Sequence, residues 1–146
     1  MFLLRKVLIK TISFFIVLGL LSIASYANDM SSYYGVYKNA KQRYLIEKEF
    51  TTNLKLTTPD DIKSGGFTKF KVTLLFDEKN IEKEIEAKID IIRSIIVATV
   101  NGFEATTMQS SSGRKEVIDA IVAGINAILT TGQIQGAAFG DLVVQF

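Results

Sequence analysis

Gly113-Arg114-Lys115-Glu116-Val117-Ile118-Asp119-Ala120-Ile121-Val122-Ala123-Gly124-Ile125-Asn126-Ala127-Ile128-Leu129 is followed by Gly132 and then by Ile134 to Phe146, which ends Asp141-Leu142-Val143-Val144-Gln145-Phe146. This stretch decides the fold. Ile118, Ile121, Val122, Ile125, Ile128 and Leu129 recur at helical spacing, so they form one apolar stripe. Gly132 stands where a helix often needs a left-handed residue to stop. After it, Leu142, Val144 and Phe146 alternate as a half-buried strand does, with Val143 adding apolar character to the other face. A helix, a glycine stop and an apolar strand imply a packed element, because a solvated tail would be polar and unpatterned.

Working back from that stretch, Ser112 is a plausible N-cap of the helix, and Thr106 to Gly113 reads as a polar loop. Before the loop, Ile81, Ile85, Ile89, Ile92 and Ile96 fall three or four apart, which predicts a helix from Glu78 to Gly102. Phe70, Val72, Leu74 and Phe76 alternate with Lys69, Lys71 and Thr73, which predicts a strand. Thr57 to Gly66 holds Pro59, two aspartates and Gly65-Gly66 and breaks the chain, and Tyr44 to Leu56 reads as a first strand. The order strand, strand, helix, helix, strand defines an α+β fold, a single small domain with helices covering one face of a sheet.

The N-terminus has a different character. Arg5, Lys6 and Lys10 border an apolar run from Val7 to Ala27, in which Thr11 to Ala27 is uncharged. That run is long enough to cross ~30 Å of hydrocarbon, with Lys10 reaching the headgroups. The preceding positive charges put the N-terminus in the cytoplasm and the remainder outside. Ser25-Tyr26-Ala27 also has the small residues of a cleavable signal peptide, so both a tethered and a released domain fit the residues. The organisation expected is residues 1–6 cytoplasmic, 7–27 a transmembrane helix or signal peptide, 28–43 a linker and 44–146 an exported domain.

Charge and composition exclude several classes of function. The chain carries 17 Lys and Arg against 15 Asp and Glu. Three of the positives precede or enter the apolar run, leaving 14 against 15 elsewhere, a net of −1. The domain therefore lacks the concentrated positive charge that nucleic acid requires. Cysteine and histidine are absent, which removes disulfides, thiolate nucleophiles, Cys/His zinc sites and the side chain that most easily moves protons near neutral pH. No cofactor or metal is expected.

Three groups of residues remain to be weighed. Glu78, Glu82 and Glu86 share a helix face with Lys79 and Lys83, and Asp60-Asp61 sits in a turn. Both read as solvated surface rather than as carboxylates facing each other across a cleft. Ser110-Ser111-Ser112-Gly113-Arg114-Lys115 has the backbone amides and charges of a phosphate-binding helix start, but not the glycine spacing of a P-loop; loop plus cap is the better reading. Arg93 lies among Ile91, Ile92, Ile95 and Ile96 and reads as a structural clamp, paired for instance with Asp90, or as a contact to a partner subunit.

Taken together these pieces resemble the flagellar basal-body protein family FliL. The resemblance rests on Phe50-Thr51-Thr52-Asn53-Leu54, the strand Phe70 to Asp77, Ile92-Arg93-Ser94-Ile95-Ile96, Gly113-Arg114-Lys115-Glu116, Ile125-Asn126-Ala127-Ile128-Leu129 and Phe139-Gly140-Asp141-Leu142-Val143-Val144-Gln145. It runs from about Glu49 to Gln145. Ser94 stands where the family usually has Asp, and Leu142 replaces a Phe.

The resemblance implies a fold similar to the stomatin/prohibitin (SPFH) domain behind one membrane helix in the inner membrane, with the domain in the periplasm. It also implies a non-enzymatic role: a ring-like homo-oligomer around the flagellar stator units, supporting torque and swimming motility. Tethering raises the local concentration of domains, and ring closure needs a head-to-tail interface. That interface is sought on the helices and on the small-residue strand Gly136, Ala137, Ala138, Phe139 and Gly140, with Arg93 a candidate for the interface or for a structural clamp. The rival expectation is a cleaved, soluble periplasmic protein with an apolar cavity for a lipid or small ligand.

Overall fold

The computed structural model describes residues 34–55 and 66–145. The apolar run 7–27, Pro59 with Asp60-Asp61, and Phe146 lie outside the described residues. The chain divides into two compact units, Met1–Gly35 and Val36–Phe146, and the second holds the sheet and the helices. Among the described residues no helix is long and apolar enough to cross a membrane.

Three antiparallel strands form the sheet: β1 (Gln42–Asn53), β2 (Phe67–Phe76) and β3 (Gly136–Gln145), with β2 in the centre. Ile46, Phe50, Phe70, Val72, Leu74, Phe76 and Ala137 point to one face and are buried. Four helices separate β2 from β3: α1 (Ile81–Ala87), α2 (Ile89–Asn101), α3 (Ala105–Gln109) and α4 (Ser111–Asn126). Helix α2 packs on β1 and α4, and α4 packs on β3 and α3. Their buried side chains, among them Ile81, Ile85, Ile92, Ile96, Met108, Val117, Ile121 and Ile125, complete the core. The fold is a small α+β domain, as the hydrophobic periodicity predicts. On the opposite face of the sheet, Leu75 is buried where Val36, from a helical stretch at 36–39, comes up against Gly136.

Both edge strands leave the regular ladder at the same level. On β1, Ile46 pairs with Val72 but Phe50 pairs with Phe70, so Glu47, Lys48 and Glu49 together oppose Lys71. Unbroken alternation would turn Lys48 into the core between Ile46 and Phe50; the bulge leaves it exposed instead. On β3, Gly140 pairs with Lys71 and Val143 with Lys69, so Asp141 and Leu142 oppose Phe70. Asp141 has φ of 50°, the left-handed region that a one-residue bulge uses. The extra residue reverses the alternation. Ala137 and Phe139 face the core before it, and Leu142 and Val144 share that side after it.

The structure corrects four sequence expectations. The helix expected from Glu78 to Gly102 is two helices, broken at Lys88 (φ −107°, ψ 14°), whose Nζ donates to Glu84 and to the Ile128 carbonyl beyond α4. The polar loop at Thr106 to Gly113 contains α3, because Met108 supplies a fully buried anchor that the polar composition hides. The cap of α4 is Ser110, not Ser112: the Gly113 amide donates to Ser110 Oγ at 3.0 Å. Finally, no glycine among the described residues has positive φ, so Gly132 is not a left-handed stop. Its lack of a side chain serves packing instead, since a Cβ there would lie 2.7 Å from Ile81 Cδ1.

Candidate functional site

Arg93 projects from α2 onto β1. Its Nη1 donates to the Lys48 carbonyl at 2.6 Å and its Nη2 to the Glu49 carbonyl at 3.3 Å. These carbonyls belong to the β1 bulge, where the ladder offers them no regular partner, so the arginine fork replaces missing strand hydrogen bonds. Its hydrogen bonds therefore go to strand backbone rather than to Asp90. The same guanidinium lies 4.1 Å from the Phe50 ring centroid. Phe50 stacks on Phe70 at 5.2 Å with an interplanar angle of 8°, and Phe70 meets Phe139 edge-on at 5.2 Å and 81°. One line of contacts thus crosses all three strands beneath the helices.

The strand Gly136 to Gly140 is divided by its pleat. Ala137 is buried and Phe139 packs on Phe70, so both serve the core. Gly136 is covered: a Cβ there would lie 2.8 Å from Val36 Cγ1. Ala138 and Gly140 lie on the outer face of the sheet, opposite Thr73 and Lys71, and are half-buried. Arg93 contacts β1 at the other edge of the sheet, so it and the outward pair Ala138 and Gly140 do not form one patch.

The outer face around both bulges is charged. Lys69 pairs with Glu49 at 2.9 Å and Lys71 with Asp141 at 2.7 Å, one pair reaching to each edge. The Lys71 hydrogen bond and charge hold the Asp141 carboxyl below its ordinary range, and the Asp141 hydrogen bond and charge raise the pKa of the Lys71 ammonium in turn.

The serine-rich turn does not assemble an anion site. Thr106, Thr107, Ser110, Ser112, Gly113 and Glu116 line an open, polar depression. Ser110 Oγ occupies the Gly113 amide, Arg114 donates to the carbonyls of Met108 and Gln109, and Lys115 pairs with Asp119 at 2.7 Å. Gly113 answers a steric demand: a Cβ there would lie 2.2 Å from the Thr107 carbonyl oxygen.

Glu84 pairs with Lys88 at i,i+4, as helical spacing predicts for an exposed face, but it has further partners. Glu84 accepts from Lys88 Nζ at 2.6 Å, from the amide and hydroxyl of Thr130 at 2.9 and 2.8 Å, and from the amide and hydroxyl of Thr131 at 2.9 and 2.5 Å. These donors, Lys88 first and Thr131 next, hold its carboxyl far below the usual carboxylate range. Lys88 also donates to the Ile128 carbonyl at 2.6 Å. The pair fastens α1 to the segment leaving α4, a structural task. Its i,i+4 spacing was visible in the sequence, but not its partners 46 and 47 residues away. Among the described residues no group of three His, Cys, Asp or Glu is placed to hold a metal ion.

Comparison with known proteins places this packed domain in a family. The family model described as "Flagellar basal body-associated protein FliL" matches residues 44–145, from within β1 to the end of β3. The flagellar protein FliL of Aquifex aeolicus (strain VF5) is 22% identical over 102 residues, which is 70% of this chain and 60% of the relative. The chain thus matches less than two thirds of that relative's length. With the family model covering most of β1, the other two strands and α1 to α4, well over half of the chain, the chain belongs to the FliL family of flagellar basal body-associated proteins.

Proposed function

We propose that this protein is a non-enzymatic component of the flagellar motor, anchored in the inner membrane by residues 7–27 with its domain in the periplasm. There it forms a homo-oligomeric ring around the stator units and supports torque generation and swimming. The observation that carries this reading is the family match over 44–145, which takes in most of β1, the other two strands and the four helices between β2 and β3. The positively charged start and uncharged apolar run at the N-terminus support the anchor. Likeness to the SPFH domain belongs to the same proposal.

Within a ring, the outward residues of β3 are the ones available to a neighbour. Ala138 and Gly140 qualify, whereas Ala137 and Phe139 are committed to the core. Arg93 is committed to strand β1 in the same chain and acts as the clamp.

The test is an intact-mass measurement of the full-length protein purified from membranes in mild detergent with whatever accompanies it. A chain retaining residues 1–27, in a large homo-oligomer with stator subunits, supports the reading. A soluble monomer beginning at Asn28 and free of partners overturns it. Ala138→Trp is expected to block assembly and weaken swimming; intact assembly and motility would remove the interface from β3.

A further inference from the structure

The two edges of the sheet are separate surfaces, yet their bulges flank the same two residues of β2, Phe70 and Lys71. On the β1 side Arg93 holds the bulge through the Lys48 and Glu49 carbonyls and covers the Phe50 ring. On the β3 side Phe139 stands one residue before Gly140, the last regular pair ahead of the bulge at Asp141-Leu142. Phe50 and Phe139 both pack on Phe70. Phe50 and Phe70 are almost fully buried, in an interior where a displaced ring has no free volume to enter.

We propose that Arg93, Phe50, Phe70 and Phe139 couple the two edges of the sheet, so that loosening the β1 bulge loosens the β3 bulge, and the reverse. Arg93 acts through Phe50 and is a positioning residue. When its fork leaves the Lys48 and Glu49 carbonyls, Phe50 loses its cover and shifts, and Phe70 and Phe139 follow. Phe139 is the last regular β3 side chain on the core side before Asp141, so its displacement falls directly on the left-handed residue. A partner that engages one edge would in this way change the order of the other. This inference concerns the domain itself and holds whether or not the protein forms a ring.

The experiment is amide hydrogen exchange on the full-length chain. Arg93→Lys keeps the charge but loses the planar fork and most of the stacking. It is expected to lower protection by about 2- to 30-fold at 46–50 and also at 139–144, the range that networked contacts typically give. Protection in α4 should hold. Phe139→Leu should reciprocate by lowering protection at 46–50. In a Phe70→Leu background, the effect of Arg93→Lys on 139–144 should disappear. A loss confined to β1, an equal loss in every element, or an effect on β3 that survives Phe70→Leu would each overturn the proposal.

Discussion

Asn126 and Ile134 pair as two residues of adjoining strands would: Asn126 Nδ2 donates to the Ile134 carbonyl at 3.0 Å, and the Ile134 amide donates to Asn126 Oδ1 at 2.9 Å. The last residue of α4 thereby satisfies both backbone groups of a buried residue just before β3. The next residue is held as well, since the Gln135 amide donates to the Leu75 carbonyl at 2.8 Å. The connection from α4 to β3 is thus fastened at both ends, by Asn126 here and by Glu84 at Thr130 and Thr131.

Replacing Asn126 with Ala leaves an amide and a carbonyl without partners in a place water reaches poorly. The expected loss is about 2 kcal/mol of stability, from the desolvation of groups left unsatisfied. Urea unfolding of the two proteins at one pH measures it, and a loss under a few tenths would mean that water replaces the side chain without cost.

Gly113 and Gly124 both lie in α4, where glycine is intrinsically the poorer helix former by about 1 kcal/mol. Their surroundings separate them. A Cβ at Gly113 would meet a backbone carbonyl at 2.2 Å, whereas at Gly124 it would meet the movable Ile95 Cγ2 at 2.8 Å. Gly113→Ala is expected to cost on the order of 2 kcal/mol or more, and Gly124→Ala within roughly 1 kcal/mol of neutral. Thermal unfolding of both variants gives the comparison.

Glu84 should impose a pH dependence on stability. Its pKa in the folded chain is lowered from a reference of 4.5 by Lys88, Thr131 and Thr130. A lowered folded pKa means that the unfolded chain binds the proton first. The stabilisation is therefore complete above the unfolded value and is lost as pH falls below about 4.5. Glu84→Gln should lower stability at pH 7 and flatten the acid limb between pH 5 and pH 3 in denaturant titrations. Parallel acid limbs in the two proteins would refute this role.

Asp141 holds a left-handed backbone conformation in exposed surroundings. Glycine adopts that conformation without a Cβ penalty, whereas alanine lacks both this freedom and a side chain to pair with Lys71. Asp141→Gly is expected to melt at or above the parent temperature in spite of losing the pair with Lys71, and Asp141→Ala below it. An equal drop below the parent temperature in both variants would show that the Lys71 contact, which both lose, governs this bulge rather than the backbone.

Much of the domain was legible in the chain because it depends on local periodicity. The alternation of Phe70, Val72, Leu74 and Phe76 and the spacing of Ile81, Ile85, Ile92 and Ile96 name the buried faces directly. Ile125-Asn126-Ala127-Ile128-Leu129 carried the family resemblance, but nothing local disclosed why an asparagine stands there. Its partners are backbone groups of Ile134 beyond a turn. Arg93 is similar: its position on a packed helix suggested a clamp, while its acceptors lie 44 and 45 residues earlier in the chain. The break at Lys88 and the helix around Met108 were not legible, because a side chain reaching another element and one buried anchor outweigh weak local preferences.

By itself, then, the sequence determined the class of fold, the order of its main elements and the family, since these follow from apolar spacing and from motifs read in order. The tertiary structure alone decided which residues of the small-residue strand face outward. One extra residue at Asp141 reverses the alternation, and a period of two cannot show where a bulge falls. It also decided the partners of Arg93, Glu84 and Asn126, because hydrogen bonds between segments distant in the chain depend on how those segments pack.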